Sequence, residues 1–263
     1  MADPLSDFSR TTATYDDETK VVFRAGDGPG IVVMSEIPGI TPAVADFARR
    51  LVDAGYTVAM PSLFGTPGKE RSNLYLVSSM TRACISKEFT CLATGQTSPV
   101  IGWLRKLAAD LHAECGGPGV GAIGMCLTGG FALAMMVEPA VVAPVLSQPS
   151  LPLPLGGARQ ADLGLSDDEL ATVKARVADE PCPVLGLRFT NDPLVRVARF
   201  DRLRAELGDG FVAVEIDSSK DNPNDIPGSA HSVVTEDLVD TEGHPTRDAL
   251  DQVMAFFAER LER

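Results

Sequence analysis

Short apolar runs alternate with helix-period segments along most of this chain. Ile31-Val32-Val33-Met34-Ser35 is a continuous apolar run, the pattern of a strand covered on both faces. After it, Thr41-Pro42 pairs a capping residue with proline at the first helical position, which predicts a helix through Ala54 that stops at Gly55. Tyr56-Thr57-Val58-Ala59-Met60 is the next strand, closed by Pro61. The same rhythm predicts strands over residues 120–124, 140–146, 183–189 and 211–216. Helices are predicted over 74–89, 98–115 and 166–178, after the turn at 193 as far as Leu207, and over 246–263. Ser98-Pro99 reads as a second cap, and Ser166-Asp167-Asp168-Glu169 as a capping box. The closing helix carries Leu250, Val253, Phe257 and Leu261 on one face. Alternation of this kind predicts an α/β fold, a mostly parallel twisted sheet flanked by helices on both faces. Residues 20–24 add a short strand, residues 1–19 are polar and read as a loosely held arm, and residues 147–157 form a proline-rich irregular segment. No repeat, low-complexity tract or linker interrupts the pattern, so residues 1–263 form one domain.

One strand-to-helix junction carries chemistry. In Gly124-Met125-Cys126-Leu127-Thr128-Gly129-Gly130, an apolar run ends at a glycine and a single reactive side chain follows. Small residues come next, and an apolar helix pattern starts at Phe131. This is the layout of a nucleophile elbow, a strained turn that holds its nucleophile at the end of a sheet. There the positive end of the helix favours a thiolate and a developing oxyanion. A buried structural cysteine in an ordinary strand–helix turn has the same local pattern. Asp192, in Thr190-Asn191-Asp192-Pro193, and His231, after the polar loop 217–230, fall at the same edge of the predicted sheet. A histidine exchanges protons near neutral pH, and a carboxylate orients it. Asp192 before a proline also suits a helix cap. Of the other histidines, His112 lies in a helix pattern and His244 in a turn.

Composition narrows the setting. A formal net charge of -13 and a pI of about 4.6 argue against nucleic acid or anionic membrane as a partner. No stretch has transmembrane length, and the first residues lack a basic region followed by an apolar one. The five cysteines, Cys84, Cys91, Cys115, Cys126 and Cys182, contain no C-x-x-C pair. Neither a disulfide framework nor a metal site is indicated, no cofactor is implied, and a cytoplasmic setting is expected. Cys84 and Cys91, seven apart, would share a helix face, a spacing that suggests packing.

Combined, these motifs resemble the dienelactone hydrolase family, a branch of the α/β-hydrolases with a Cys-Asp-His triad in that chain order. The resemblance runs from about residue 20 onward. It rests on Ser35-Glu36-Ile37-Pro38-Gly39, the Cys126 elbow, Thr190-Asn191-Asp192-Pro193 and Ala230-His231-Ser232. It implies that Cys126 is the nucleophile, His231 the base and Asp192 its orienter. The backbone N–H groups of Ile37 and Leu127 would form the oxyanion hole. Glu36 would contact the resting nucleophile and help activate it when substrate arrives; a carboxylate there disfavours a standing thiolate. Arg82 matches one of two arginines that hold the substrate carboxylate in the family, and Ser86 and Phe89 fall at substrate-wall positions. The second arginine is expected where this chain has Thr235. Thr128 replaces a usual glycine and is expected to crowd the turn; Pro38 stands where an aromatic residue is common.

The resemblance implies a monomeric hydrolase that cleaves a small ester or lactone through an acylated cysteine. Thr128, Pro38 and Thr235 leave open a weakly active or inactive binding protein on the same scaffold. A redox-sensing thiol ranks last, because no resolving cysteine lies nearby in sequence.

Overall fold

The computed structural model describes residues 1–85, 89, 95–151, 160–180 and 182–262, with the side chains of all but Cys84 and Ile85. Eight strands form one sheet: β1 (Ser9–Tyr15), β2 (Glu18–Ala25), β3 (Gly30–Met34), β4 (Thr57–Pro61), β5 (Val120–Met125), β6 (Val141–Ser147), β7 (Val184–Phe189) and β8 (Phe211–Ile216). Their spatial order is β1-β2-β4-β3-β5-β6-β7-β8. The first two pairings are antiparallel and the rest parallel. The helices described are α1 (Pro42–Asp53), α2 (Asn73–Ile85), α3 (Val100–Cys115), α4 (Gly129–Met135), α5 (Asp167–Asp179), α6 (Val197–Leu207) and α7 (Pro245–Leu261).

Side-chain alternation along β3 divides the core in two. Ile31 and Val33 pack with Val44, Phe47 and Leu51 of α1 and with Val253 and Phe257 of α7. Val32 and Met34 pack on the other face with Leu104 of α3 and Leu133 of α4. Both sets are fully buried, which accounts for the uninterrupted apolar run. Gly121 in β5 is needed for this packing, because a Cβ there would stand 2.7 Å from the Phe257 ring. Among the described residues no helix is long and apolar enough to cross a membrane.

The helix signals differ in how they work. Thr41 caps α1, its hydroxyl accepting from the Val44 N–H, and Ser166 caps α5 by accepting from Glu169 N–H. Ser98 does not cap α3; its hydroxyl donates to the Phe89 carbonyl at 2.6 Å, and the helix begins after Pro99. Helix α7 starts one residue before its predicted position, with His244 as its cap.

The N-terminal segment is not a loose arm. Residues 9–25 form a hairpin whose two-residue turn, Asp16-Asp17, has φ of 49° and 65°, the left-handed pair that tight hairpins require. The hairpin lies against α3: the Trp103 indole N–H donates to the Glu18 carbonyl, and Tyr15 donates to Asp110. Upstream, Leu5 and Phe8 are buried, and Arg49 of α1 grips Asp3 and Asp7 with paired hydrogen bonds of 2.7–3.0 Å. That grip holds both carboxyls below their usual range, chiefly through the guanidinium bonds. Phe8→Ala should therefore cost about 3 kcal/mol in a urea titration, the loss for a buried aromatic. A loosely held arm would leave the midpoint unchanged.

Candidate active site

The elbow between β5 and α4 is built as its sequence suggests. Cys126 has φ of 56°, a conformation that costs a non-glycine residue about 1–3 kcal/mol. The close return of the chain depends on Gly124, where a Cβ would meet the Thr128 carbonyl at 1.8 Å. Thr128 does not simply crowd this turn. Its buried hydroxyl accepts from the Met125 N–H at 2.8 Å and faces the carbonyls of Met34 and Met125, each at 2.9 Å. The side chain thus ties the elbow to the end of β3, from which Glu36 and Ile37 follow. Leu127 begins the turn into α4, so its N–H belongs to the positive end of that helix.

Asp192 and His231 meet at the same edge. His231 Nδ1 lies 2.6 Å from Asp192 Oδ2, and the carboxyl is wholly buried. The other oxygen, Oδ1, accepts from the Leu194 N–H at 2.8 Å, so Asp192 both orients the histidine and shapes its own turn. Arg188 steadies that turn by donating to the Val195 carbonyl while paired with Glu215. The His231 loop is held by Asp237, whose Oδ2 accepts from the N–H groups of His231 and Ser232, both at 2.8 Å. His231 Nε2 is buried and makes no hydrogen bond, which leaves it available on the Cys126 side. Burial by itself would lower the His231 pKa. The charge of nearby Cys126 and the bond to Asp192 outweigh that and hold it well above 6.5.

Glu36 departs from the family expectation. Its carboxylate is buried, but Oε2 accepts from Ser232 and Oε1 from Thr235, each at 2.6 Å. Thr235, at the place of an expected arginine, is thus a partner of Glu36. The sulfur of Cys126 instead lies 3.0 Å from the Ser150 hydroxyl, and the Ser150 N–H donates to the Cys126 carbonyl at 2.9 Å. Among the described residues no hydrogen bond joins Glu36 to Cys126.

A narrow slot opens beside the elbow. Its volume, counted to the open mouth, is about 380 Å³. Leu127, Phe131, Phe89 and Ser150 form its walls, and Arg199 reaches it from α6. Phe89 lines the slot, its ring centroid 4.8 Å from that of Phe64. Arg82 is exposed on α2 and does not line the slot. Ser86 and Cys91 lie outside the described residues, as does the Cys84 side chain. Ser150 and Arg199 stand in no motif. Arg199 did leave a trace: it precedes Leu203 by four residues and so joins the apolar stripe of its helix.

Comparison with protein-family models matches residues 19–261 to the dienelactone hydrolase family. A dienelactone hydrolase from Anabaena variabilis is similar in structure, with a TM-score of 0.61 at 14% identity over 97% of this chain and 98% of that one. The dienelactone hydrolase-like promiscuous phosphotriesterase P91, from metagenomic libraries, has a TM-score of 0.59 at 19% identity, covering 97% and 98%. XC6422 from Xanthomonas campestris, an α/β serine hydrolase without a lid, gives 0.56 at 12%, covering 98% and 97%. These likenesses establish the α/β-hydrolase fold. Comparison with curated protein sequences finds no match.

The His231 environment gives a test in solution. The proton on His231 stabilises the folded chain below the unfolded pKa near 6.5, and this contribution is lost as the pH rises through the elevated folded value. Removing the Cys126 charge leaves burial less opposed. Imidazole nitrogen shifts followed by NMR should therefore place the wild-type His231 transition above 6.5 and move it down in Cys126→Ala. An identical transition in both proteins would contradict the coupling.

Proposed function

The chain belongs to the dienelactone hydrolase family, and from that premise we propose that it hydrolyses small carboxylic esters or lactones through an acylated Cys126. The observation that carries this reading is the His231–Asp192 pair, with Nε2 unoccupied beside a cysteine held at a strained elbow.

In this mechanism His231 Nε2 takes the Cys126 proton, and the thiolate attacks the carbonyl carbon of the substrate. The carbonyl oxygen gains the negative charge and is stabilised by the N–H groups of Ile37 and Leu127. The tetrahedral adduct collapses, breaking the carbon–oxygen ester bond, and the leaving alkoxide takes the proton from the His231 imidazolium. A water molecule then gives its proton to His231 and attacks the thioester. The carbon–sulfur bond breaks, the carboxylic acid leaves, and the thiol is restored. Asp192 keeps Nδ1 protonated and stabilises the imidazolium in both halves.

Glu36 serves this scheme as a positioning residue. It joins the loop that carries Ile37 to the loop that carries His231, through Ser232 and Thr235. The Ser150 hydroxyl is the resting partner of the sulfur, and substrate entry displaces that contact.

Steady-state hydrolysis of dienelactone beside neutral aryl esters, neutral lactones and a phosphotriester tests the reading. Cys126→Ala should lower kcat for esters and lactones by at least about 10³-fold, on the scale seen when a nucleophile is removed. Its thermal unfolding should stay that of a folded chain. Turnover that persists in Cys126→Ala would overturn the mechanism.

A further inference from the structure

Two buried groups beside the elbow bear on where the Cys126 proton sits. The Ser150 backbone N–H donates to the Cys126 carbonyl at 2.9 Å, and the Ser150 hydroxyl lies 3.0 Å from the Cys126 sulfur. Ser150 is 2% exposed, so that hydroxyl is withdrawn from bulk water. His231 Nε2 is also buried and makes no hydrogen bond, while Nδ1 lies 2.6 Å from the wholly buried Asp192 carboxylate. In a neutral pair with the S–H proton turned to Ser150 Oγ, Nε2 would be a buried acceptor with no donor. With that proton on Nε2 the sulfur only accepts, and the Ser150 hydroxyl donates to it. The imidazolium is then matched by the Asp192 carboxylate and by the thiolate.

The carboxylate that would oppose a standing thiolate is engaged elsewhere. Glu36 accepts from Ser232 and Thr235, each at 2.6 Å, and among the described residues it forms no hydrogen bond with Cys126. The cations in reach of the sulfur favour its charge. Burial by itself lowers the His231 pKa, but the Cys126 charge and the Asp192 bond outweigh it and hold it well above 6.5. Burial lowers the Arg199 pKa to about 10, so Arg199 stays a cation at neutral pH, with Asp162 and Cys126 both in its field. The Asp162 oxygens accept from the N–H groups of Gly95 at 2.9 Å and Gly164 at 2.8 Å. A buried ion pair must offset the desolvation of both members, and here Asp192, Ser150 and Arg199 contribute to that.

We propose that Ser150 is a positioning residue of the resting nucleophile: its hydroxyl donates to a Cys126 thiolate whose proton rests on His231 Nε2 before any substrate arrives. The step is a proton transfer alone. The S–H bond breaks, its electron pair stays on the sulfur, and an N–H bond forms at Nε2. This rests on the hydrolase reading above, from which it takes the premise that Cys126 is the nucleophile. It replaces a thiol that Glu36 would guard until substrate arrives with one that is charged at rest and held by a hydroxyl. Reaction with a small electrophile therefore needs no substrate to trigger it.

Alkylation by iodoacetamide, a neutral reagent, tests this on the full chain without substrate, with the rate at Cys126 read from its peptide by mass spectrometry. An ordinary thiol with a pKa near 8.5 reacts about 80-fold more slowly at pH 6 than at pH 8. Wild type should slow by less than about fivefold over that range, and its ultraviolet thiolate absorbance should exceed that of Cys126→Ala. A steeper fall would overturn the proposal, a result that needs no Ser150 variant to fold. Ser150→Ala and Ser150→Gly should each slow alkylation at pH 6 by at least about tenfold, the scale of one hydrogen bond to a charged group, and leave the rate at pH 9 within about threefold. Ser150→Thr, which keeps the hydroxyl, should recover the flat profile. A flat profile in either folded variant without the hydroxyl would remove Ser150 from the role. Cys126-dependent ester turnover with a steep wild-type profile would overturn this proposal alone. A flat profile in a wild type that hydrolyses no ester would overturn the hydrolase reading alone.

Discussion

The strained turn at Cys126 is the constraint on which the site depends. A non-glycine residue at φ of 56° stays there only where its surroundings leave no alternative. Three features do so here. Gly124 leaves room for the Thr128 carbonyl, the Thr128 hydroxyl joins the Met125 N–H to the end of β3, and Ser150 holds the Cys126 carbonyl. Release of any of them would let the sulfur drift from its place near His231. The strain is thus tied to the geometry that the proposed nucleophilic attack needs.

Around the elbow, loops from distant parts of the chain are cross-linked by carboxylates. Glu36 ties the loop after β3 to Ser232 and Thr235, Asp237 holds the His231 backbone, and Asp192 divides its oxygens between His231 and Leu194. His231 Nε2 is buried without a hydrogen bond, and Arg199 lines the slot beside the elbow. An acidic protein thus sets a histidine and an arginine near Cys126, an arrangement suited to a thiolate and an oxyanion.

The parts of the fold legible in sequence were those in which one force dominates. Strands β3 to β7 are buried on both faces and so read as apolar runs, and Thr41-Pro42 capped α1 as its chemistry suggests. The β1 hairpin was hidden because its strand, rich in threonine, alternates no apolar residues and its Asp16-Asp17 turn lacks glycine. Cys126, Asp192 and His231 could be picked out because each falls in a junction or loop after a strand, in the chain order of the family's triad. The partners of Glu36 were not, since Ser232 and Thr235 look like ordinary loop hydroxyls until folding brings them within 2.6 Å. Arg82 illustrates the converse: a matching position in sequence, but a side chain facing solvent. Ser150 escaped notice in a proline-rich segment whose composition marks it only as irregular, and Thr128 was read for its bulk when its hydroxyl matters.

The central claim is that the acyl group passes through the sulfur of Cys126, and an acid-quenched reaction tests it most directly. Enzyme mixed with an aryl ester and quenched within the first turnover is measured by intact-mass and peptide mass spectrometry. The account predicts a mass increase equal to the acyl group on the peptide that contains Cys126, located at that residue and absent from Cys126→Ala. An acyl group found instead on Ser150, whose hydroxyl is 3.0 Å from the sulfur, would contradict it.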